Sequence, residues 1–147
     1  MFRFPIIYIV TALVFALMDF GWISWATPNL YRPEIGALLI QGARPVPAVL
    51  FYVIYVGAMV ALAVAPNLFP KGWLRAGGTG ALLGLAAYSA YDLTNQATLT
   101  VWSTKVTIAD MSWGTFATGA ASAVSACING KLLGVSGPKS RVGKSPA

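Results

Sequence analysis

Long apolar segments of about twenty residues constrain this chain more than any other feature of its sequence. The first covers residues 5–25 and contains one charged residue, Asp19. An α-helix rises about 1.5 Å per residue, so about twenty residues cross the roughly 30 Å hydrocarbon core of a bilayer. The sequence therefore predicts an all-α membrane protein with a four-transmembrane-helix bundle over residues 1–130. Its three further spans are predicted at residues 47–65, 77–99 and 108–128.

The overall composition favours the same fold class. Hydrophobic residues make up 57% of the 147 residues and charged residues 10%, whereas an ordinary soluble domain has roughly 25% charged residues. The mean hydropathy is +0.70. A cleaved signal peptide is the competing interpretation of the first segment. We favour a retained helix, because the segment is longer than the roughly 7–15 apolar residues of a signal peptide and contains Asp19, Trp22 and Trp25.

The segments outside the four spans are short and rich in proline, glycine or basic residues. Within the first connection, the apolar residues Ile35–Ile40 predict a short helix at the membrane interface. Residues 131–147 are basic and rich in Gly, Ser and Pro, so we expect a disordered tail.

Small residues recur three or four positions apart on the third and fourth spans, as they do where membrane helices touch closely. Gly80 and Gly84 form such a face on the third span, and Gly114 and Thr118 begin one on the fourth. We expect the two faces to pack against each other.

The distribution of basic residues predicts the orientation. Four spans place both termini and the second connection on one side of the membrane, with seven of the ten basic residues. Because basic residues are retained on the cytoplasmic side, both termini should be cytoplasmic, in a multi-pass protein of the bacterial inner membrane. The opposite, outer side has Arg32, Arg44 and Lys105.

Three of the four acidic residues are predicted to meet at the outer end of the bundle. Asp19 and Asp92 lie at similar heights on the two outward-running helices, and Asp110 lies near the start of the fourth span. A charge within a membrane helix costs about 2.5 kcal/mol or more, and such residues usually face the bundle interior and mark functional sites. With their polar and aromatic neighbours, the candidate binding residues are Asp19, Trp22, Tyr31, Arg32, Tyr88, Asp92, Asn95, Gln96, Asp110 and Trp113.

Simpler interpretations stay open for each acid. Asp110 has the spacing of a capping box with Thr107, and Asp19 could pair with Arg32 or Arg44 at the interface. A polar contact between helices would account for Asp92 and Asn95, which lie on the same helix face. If the acids do converge, a proton, a cation or a basic neighbour must compensate them, and Arg32 is the expected partner.

Few cofactors fit this composition. The chain has no histidine and one cysteine, Cys127, so the usual zinc, haem and histidine acid–base sites are excluded, and no nucleotide-binding motif occurs. No metal site is firmly predicted, although Asp19, Asp92 and Asp110 offer oxygens to a divalent cation together with Asn95 or Gln96. The basic residues lie in short loops and the tail without an aromatic–basic module, which argues against nucleic-acid binding.

Two segments resemble the hallmarks of a bacterial membrane-protein family, domain of unknown function 2177. The first is residues 87–99 around Asp92, and the second is residues 106–115 around Asp110. The resemblance covers about residues 1–130 and implies a four-helix inner-membrane protein. It implies no particular activity. The opening of the family is matched by residues 19–22 and 31–32.

Three functional hypotheses follow, and the sequence does not decide whether the protein is an enzyme. The first is a pocket at the outer end that binds or acts on an amphiphilic molecule, such as a lipid, quinone or isoprenoid. The second is proton- or cation-coupled transport, which requires a homo-oligomer because four helices are too few to enclose a pathway. The third is a structural or accessory subunit whose polar residues only hold helices together.

The orientation gives a first testable prediction. On a Cys127→Ala background, a cysteine introduced at Ser145 should react with a membrane-impermeant maleimide only after the cells are permeabilised, because the tail is predicted to be cytoplasmic. Labelling of this cysteine from the periplasmic side of intact cells would contradict the orientation.

Overall fold

The computed structural model describes residues 3–135 and is helical apart from short connections. No β-strand occurs within this range, which confirms the predicted all-α class. Four long helices are joined by a helical turn and short loops. The α-helices are α1 (Arg3–Ala26), α2 (Arg32–Ile35), α3 (Pro45–Ala58), α4 (Trp73–Thr98) and α5 (Thr104–Leu132).

The chain after α1 stays helical instead of forming a separate interfacial helix. A π-helical turn at Thr27–Tyr31 leads into α2, and a 3-10 turn at Gly36–Leu38 follows. Pro28 lacks the N–H that an α-helix would bond at this position, which favours the wider π turn. The prediction of a short helix over Ile35–Ile40 was therefore wrong in its bounds.

Helix α3 and helix α5 both extend beyond their predicted spans. After α3, a π-helical turn (Met59–Val64) and a 3-10 turn (Ala65–Asn67) carry the helix past its predicted end. Helix α5 continues to Leu132, and Gly134 ends it with φ of +62°. The N–H of Val135 then bonds the carbonyl of Gly130 at 2.9 Å, closing the last turn. Residues 136–147 of the predicted tail lie outside the described residues.

Large apolar side chains lie on the surface, and several polar and acidic side chains are buried. The most exposed large side chains include Leu17, Phe20 and Leu82, each between 67% and 74% exposed. The buried set includes Thr11, Asp19, Asp92, Thr118 and Ser122. A surface of this kind is stable when the surrounding solvent is hydrocarbon.

Two helical stretches, Arg3–Leu38 and Pro45–Asn67, are long and apolar enough to cross a membrane. Helices α4 and α5 are less apolar because of their many small and polar residues.

Helices α4 and α5 approach each other closely along their glycines, which confirms the predicted contact between the two small-residue faces. A Cβ atom at Gly84 would overlap the backbone carbonyl of Gly114, and one at Gly80 would lie 2.7 Å from the carbonyl oxygen of Thr118. A Cβ at Gly114 would overlap the ring of Tyr88. These positions accept only hydrogen as a side chain, so the glycines determine how close the two helices lie.

A matched pair of glycine substitutions on α4 tests this contact. Gly84→Leu should lower the free energy of unfolding by about 3 kcal/mol or more, because the side chain would separate α4 from α5. Gly78→Leu places the same side chain on the same helix where no atom lies within 4 Å, and should change the free energy by about 1 kcal/mol or less. Unfolding in mixed micelles with increasing SDS measures both. Equal stability of the two variants would contradict the close packing.

Candidate binding site

Asp19 and Asp110 lie at the end of the bundle where α1 and α4 finish and α3 and α5 begin, here called the aspartate end. Asp19 is 4% exposed, and Tyr52 of α3 donates a hydrogen bond to its Oδ2 at 2.5 Å. The indole N–H of Trp113 donates to its Oδ1 at 3.3 Å. Both carboxylate oxygens of Asp19 are therefore satisfied by neutral donors from two other helices.

Asp110 on α5 is held in a similar way. The hydroxyl of Tyr31 donates to Asp110 Oδ1 at 2.5 Å, and the indole N–H of Trp22 donates to the Tyr31 hydroxyl oxygen at 2.8 Å. The rings of Trp22 and Trp113 stack with centroids 4.8 Å apart and planes 7° from parallel. Stacked indoles and hydrogen bonds thus connect the two acids into one network.

Asp92 on α4 is fully buried, and neither of its carboxylate oxygens has a hydrogen-bond partner among the described residues. Asp92 is not among the lining residues of the cavities at the aspartate end. The structure therefore brings Asp19 and Asp110 to one wall and leaves Asp92 beside it.

Two adjoining cavities occupy the aspartate end. The larger, of about 460 Å³, is called the head cavity, and the smaller, of about 360 Å³, the tail cavity. Both share Phe51, Tyr88, Tyr91 and Asp110 as walls. The tail cavity is completed by Tyr55 and Ala87. The head cavity is completed by Asp19, Trp22, Ile23, Thr27, Tyr31, Ile35, Leu39 and Trp102.

The cavities open towards the side of the bundle. Phe51 is 40% exposed and Tyr91 is 60% exposed, so both wall residues also reach the surface. Residues 45–51 of α3 are all exposed. The first half of α3 thus leaves a gap towards α4.

Arg32 does not compensate the acids. It is exposed, and the one ion pair among residues 3–135 joins Lys105 to Glu34 at 2.9 Å. Ser103 also donates to Glu34 at 2.5 Å. These bonds lower the pKa of Glu34, and the bond from Ser103 contributes most. The preferred pairing of Arg32 with the acids was wrong, because tyrosine and tryptophan donors bind Asp19 and Asp110 instead.

The alternative interpretations of Asp110 and Asp19 were also wrong. Helix α5 begins at Thr104, and Ser103 is its cap, accepting from the backbone N–H of Lys105 at 3.2 Å. Asp110 lies well inside the helix and cannot cap it. Within the described part of the chain, Asp19 makes no ion pair with Arg32 or Arg44.

The remaining candidates divide between the site and its surroundings. Trp22, Tyr31 and Tyr88 line the head cavity, and Trp113 orients Asp19. Gln96 donates to Thr104 at 2.9 Å and so fastens the connection between α4 and α5.

Asn95 is half-buried and lines neither cavity. Asp19, Asp92 and Asp110 do not gather as a three-acid metal site would require. Within residues 3–135, no three acidic or thiol side chains lie close enough to hold a metal ion together.

The aromatic residues of α3 were missed in the sequence analysis. Tyr52 binds Asp19, and the Tyr55 hydroxyl lies 2.8 Å from Thr118 Oγ1. Phe51 lines both cavities. The signal was available, since two tyrosines three positions apart in an otherwise apolar helix share one face and bring hydroxyls that need partners.

Comparison with known proteins gives one match. The family model described as "Predicted membrane protein (DUF2177)" matches residues 4–127. No curated protein and no solved structure matches the chain.

The hydrogen-bond network generates a prediction for Tyr31. Tyr31→Phe should lower the free energy of unfolding by about 2 kcal/mol, because it removes the donor to Asp110 and the acceptor for Trp22. The control is Tyr8→Phe, whose hydroxyl bonds the carbonyl of Val53 at an exposed position and should contribute about 0.5 kcal/mol. SDS-induced unfolding in mixed micelles compares them. A Tyr31 variant no less stable than the Tyr8 variant would show that the network does not hold the site.

Proposed function

Since the chain belongs to the DUF2177 family of predicted membrane proteins, we propose that it crosses the bacterial inner membrane with four helices and binds an amphiphilic, lipid-like small molecule. The spans lie within α1, α3 together with its helical continuation to Asn67, α4 and α5. Both termini are cytoplasmic, so the aspartate end faces the outer side of the membrane.

The exposed surface supports four spans. Helices α4 and α5 also direct large apolar side chains outward, among them Leu82 at 67%, Ile108 at 63% and Phe116 at 62% exposed. Their acidic residues lie between helices, where Asp92 and Asp110 are buried together with Thr118. This is the distribution expected when lipid surrounds the whole bundle.

The single observation that carries the binding proposal is the pair of adjoining cavities. The head cavity is lined by both carboxylates, Asp19 and Asp110, whereas the tail cavity has Asp110 alone and is the more apolar of the two. An amphiphile has this same division into a polar head and an apolar tail. Pockets of roughly 300–1,000 Å³ with apolar walls and a few convergent polar groups are typical of small-molecule sites.

The lateral opening determines how such a molecule would enter. Phe51 and Tyr91 lie at the gap between α3 and α4, at the surface that we place in the bilayer. A molecule dissolved in the membrane can move through this gap without leaving the hydrocarbon. Its tail would stay beside Ala87 while its head reaches Asp110.

A second candidate function is proton- or cation-coupled transport, which the unpartnered Asp92 favours. An unpaired carboxylate inside a membrane protein is a typical element of a proton or cation relay. Ser122, Ser125 and Asn129 also bury oxygens without partners along α5. Helix α5 therefore has a row of polar groups leading away from the aspartate end, although the described residues between them are closely packed.

Photolabelling in nanodiscs tests the binding proposal. The probes share a dodecyl tail with a diazirine and differ in a trimethylammonium, hydroxyl or sulfonate head. At least one head should label the Phe51–Tyr91 gap saturably, because the cavities provide a defined number of sites. Ala87→Phe should reduce this labelling by filling the tail cavity, whereas Leu85→Phe, on a lipid-facing groove beside Ile108, should not.

The pattern of labelling decides the outcome. Saturable labelling at the gap that excess unlabelled probe abolishes supports the site. Labelling that rises linearly with every probe and spreads over the exposed apolar surface would show lipid-like solvation and contradict it.

A further inference from the structure

The walls of the head and tail cavities have an unbalanced charge. They contain two carboxyl groups, from Asp19 and Asp110, and no lysine or arginine side chain. The acids are held by phenol and indole donors, which are neutral. The ion pair at this end of the molecule is formed by Lys105 with Glu34 and leaves both cavity acids without a basic partner among the described residues.

Asp110 has an oxygen left for a ligand. Its side chain is only 7% exposed and faces both cavities. Oδ1 accepts from Tyr31, and the other oxygen accepts no hydrogen bond from any residue that the structure describes. Both oxygens of Asp19 are occupied by Tyr52 and Trp113. Asp110 is therefore the acid with unused hydrogen-bonding capacity at the cavity.

Aromatic rings share the cavity walls with Asp110. Tyr88 and Tyr91 line both cavities, and Trp102 and Trp22 complete the head cavity. Tyr91 and Trp102 meet edge to face, with ring centroids 5.8 Å apart. The negative faces of such rings attract ammonium groups, and cages of aromatic rings are a recurrent way of binding quaternary ammonium ligands.

On the basis of the proposed function, we propose that the ligand of this site is a cationic amphiphile. Its ammonium head pairs with Asp110 among the rings of Tyr88, Tyr91 and Trp102. The ammonium supplies the positive charge that the walls lack. An anionic head would instead meet two acids with no basic side chain to receive it, which disfavours it strongly. The apolar chain of the ligand lies in the tail cavity.

The test compares three head groups carried by the same dodecyl tail. In nanodiscs of zwitterionic phosphatidylcholine, unlabelled dodecyltrimethylammonium, dodecanol and dodecyl sulfonate compete against whichever photoprobe labels the gap saturably. The ammonium head should compete at a mole fraction roughly tenfold lower than the neutral head, and the sulfonate should be weakest.

Two variants separate the site from general electrostatics. Asp110→Asn keeps an acceptor for Tyr31 but removes the charge, so it should abolish the preference for ammonium. Glu34→Gln removes one negative charge at the same end of the molecule, outside both cavities, and should leave the preference intact.

The possible outcomes are distinguishable. An ammonium preference that Asp110→Asn abolishes and Glu34→Gln preserves supports the inference. Equal competition by all three heads overturns it and leaves the amphiphile site standing. A preference for sulfonate, or an ammonium preference that survives Asp110→Asn, also overturns it. Absence of saturable labelling by any head contradicts the proposed function itself. The comparison of heads on the unaltered protein decides the inference even if Asp110→Asn fails to fold.

Discussion

Helices α4 and α5 approach so closely at Gly84 and Gly114 that a single Cβ would force them apart. The ring of Tyr88 covers Gly114, and this places Tyr88 between the two helices at the level of the cavities. Asp92, four residues beyond Tyr88 on α4, is fully buried. Because Asp110 lies about one turn from Gly114 and Asp92 about two turns from Gly84, the geometry of the aspartate end depends on this packing contact.

The acids at this end are stabilised by a network that is unusual in its lack of positive charge. Phenol and indole donors bond both carboxylate oxygens of Asp19 and one carboxylate oxygen of Asp110. The stacked indoles of Trp22 and Trp113 connect the two acids. A buried Arg would have neutralised the site and closed it. Aromatic donors leave the site acidic and leave space beside it, so the features that hold the acids in place are also those that suit a cationic amphiphile.

The sequence predicted the elements of this arrangement better than their connections. Helix periodicity and the cost of exposing charge to lipid indicated that Asp19, Asp92 and Asp110 face inward, and the spacing of Gly80 and Gly84 indicated a close helix contact. The partners of the acids depend on the rotation of each helix about its axis, which no local pattern determines. The chain after α1 was equally hard to predict, because Pro28 and tertiary contacts together select the π turn that brings Tyr31 over Asp110. Cavities depend on how far α3 diverges from α4, a property of the whole bundle.

Native mass spectrometry of the protein extracted from its own membrane in a non-ionic detergent tests the central claim most directly. We predict a defined adduct on the unaltered protein, identified by fragmentation as an amphiphile with an ammonium group. The adduct should be lost from Ala87→Phe, in which the tail cavity is filled. The same adducts on both proteins, in proportion to the lipids of the membrane, would contradict the claim that the aspartate end is a binding site.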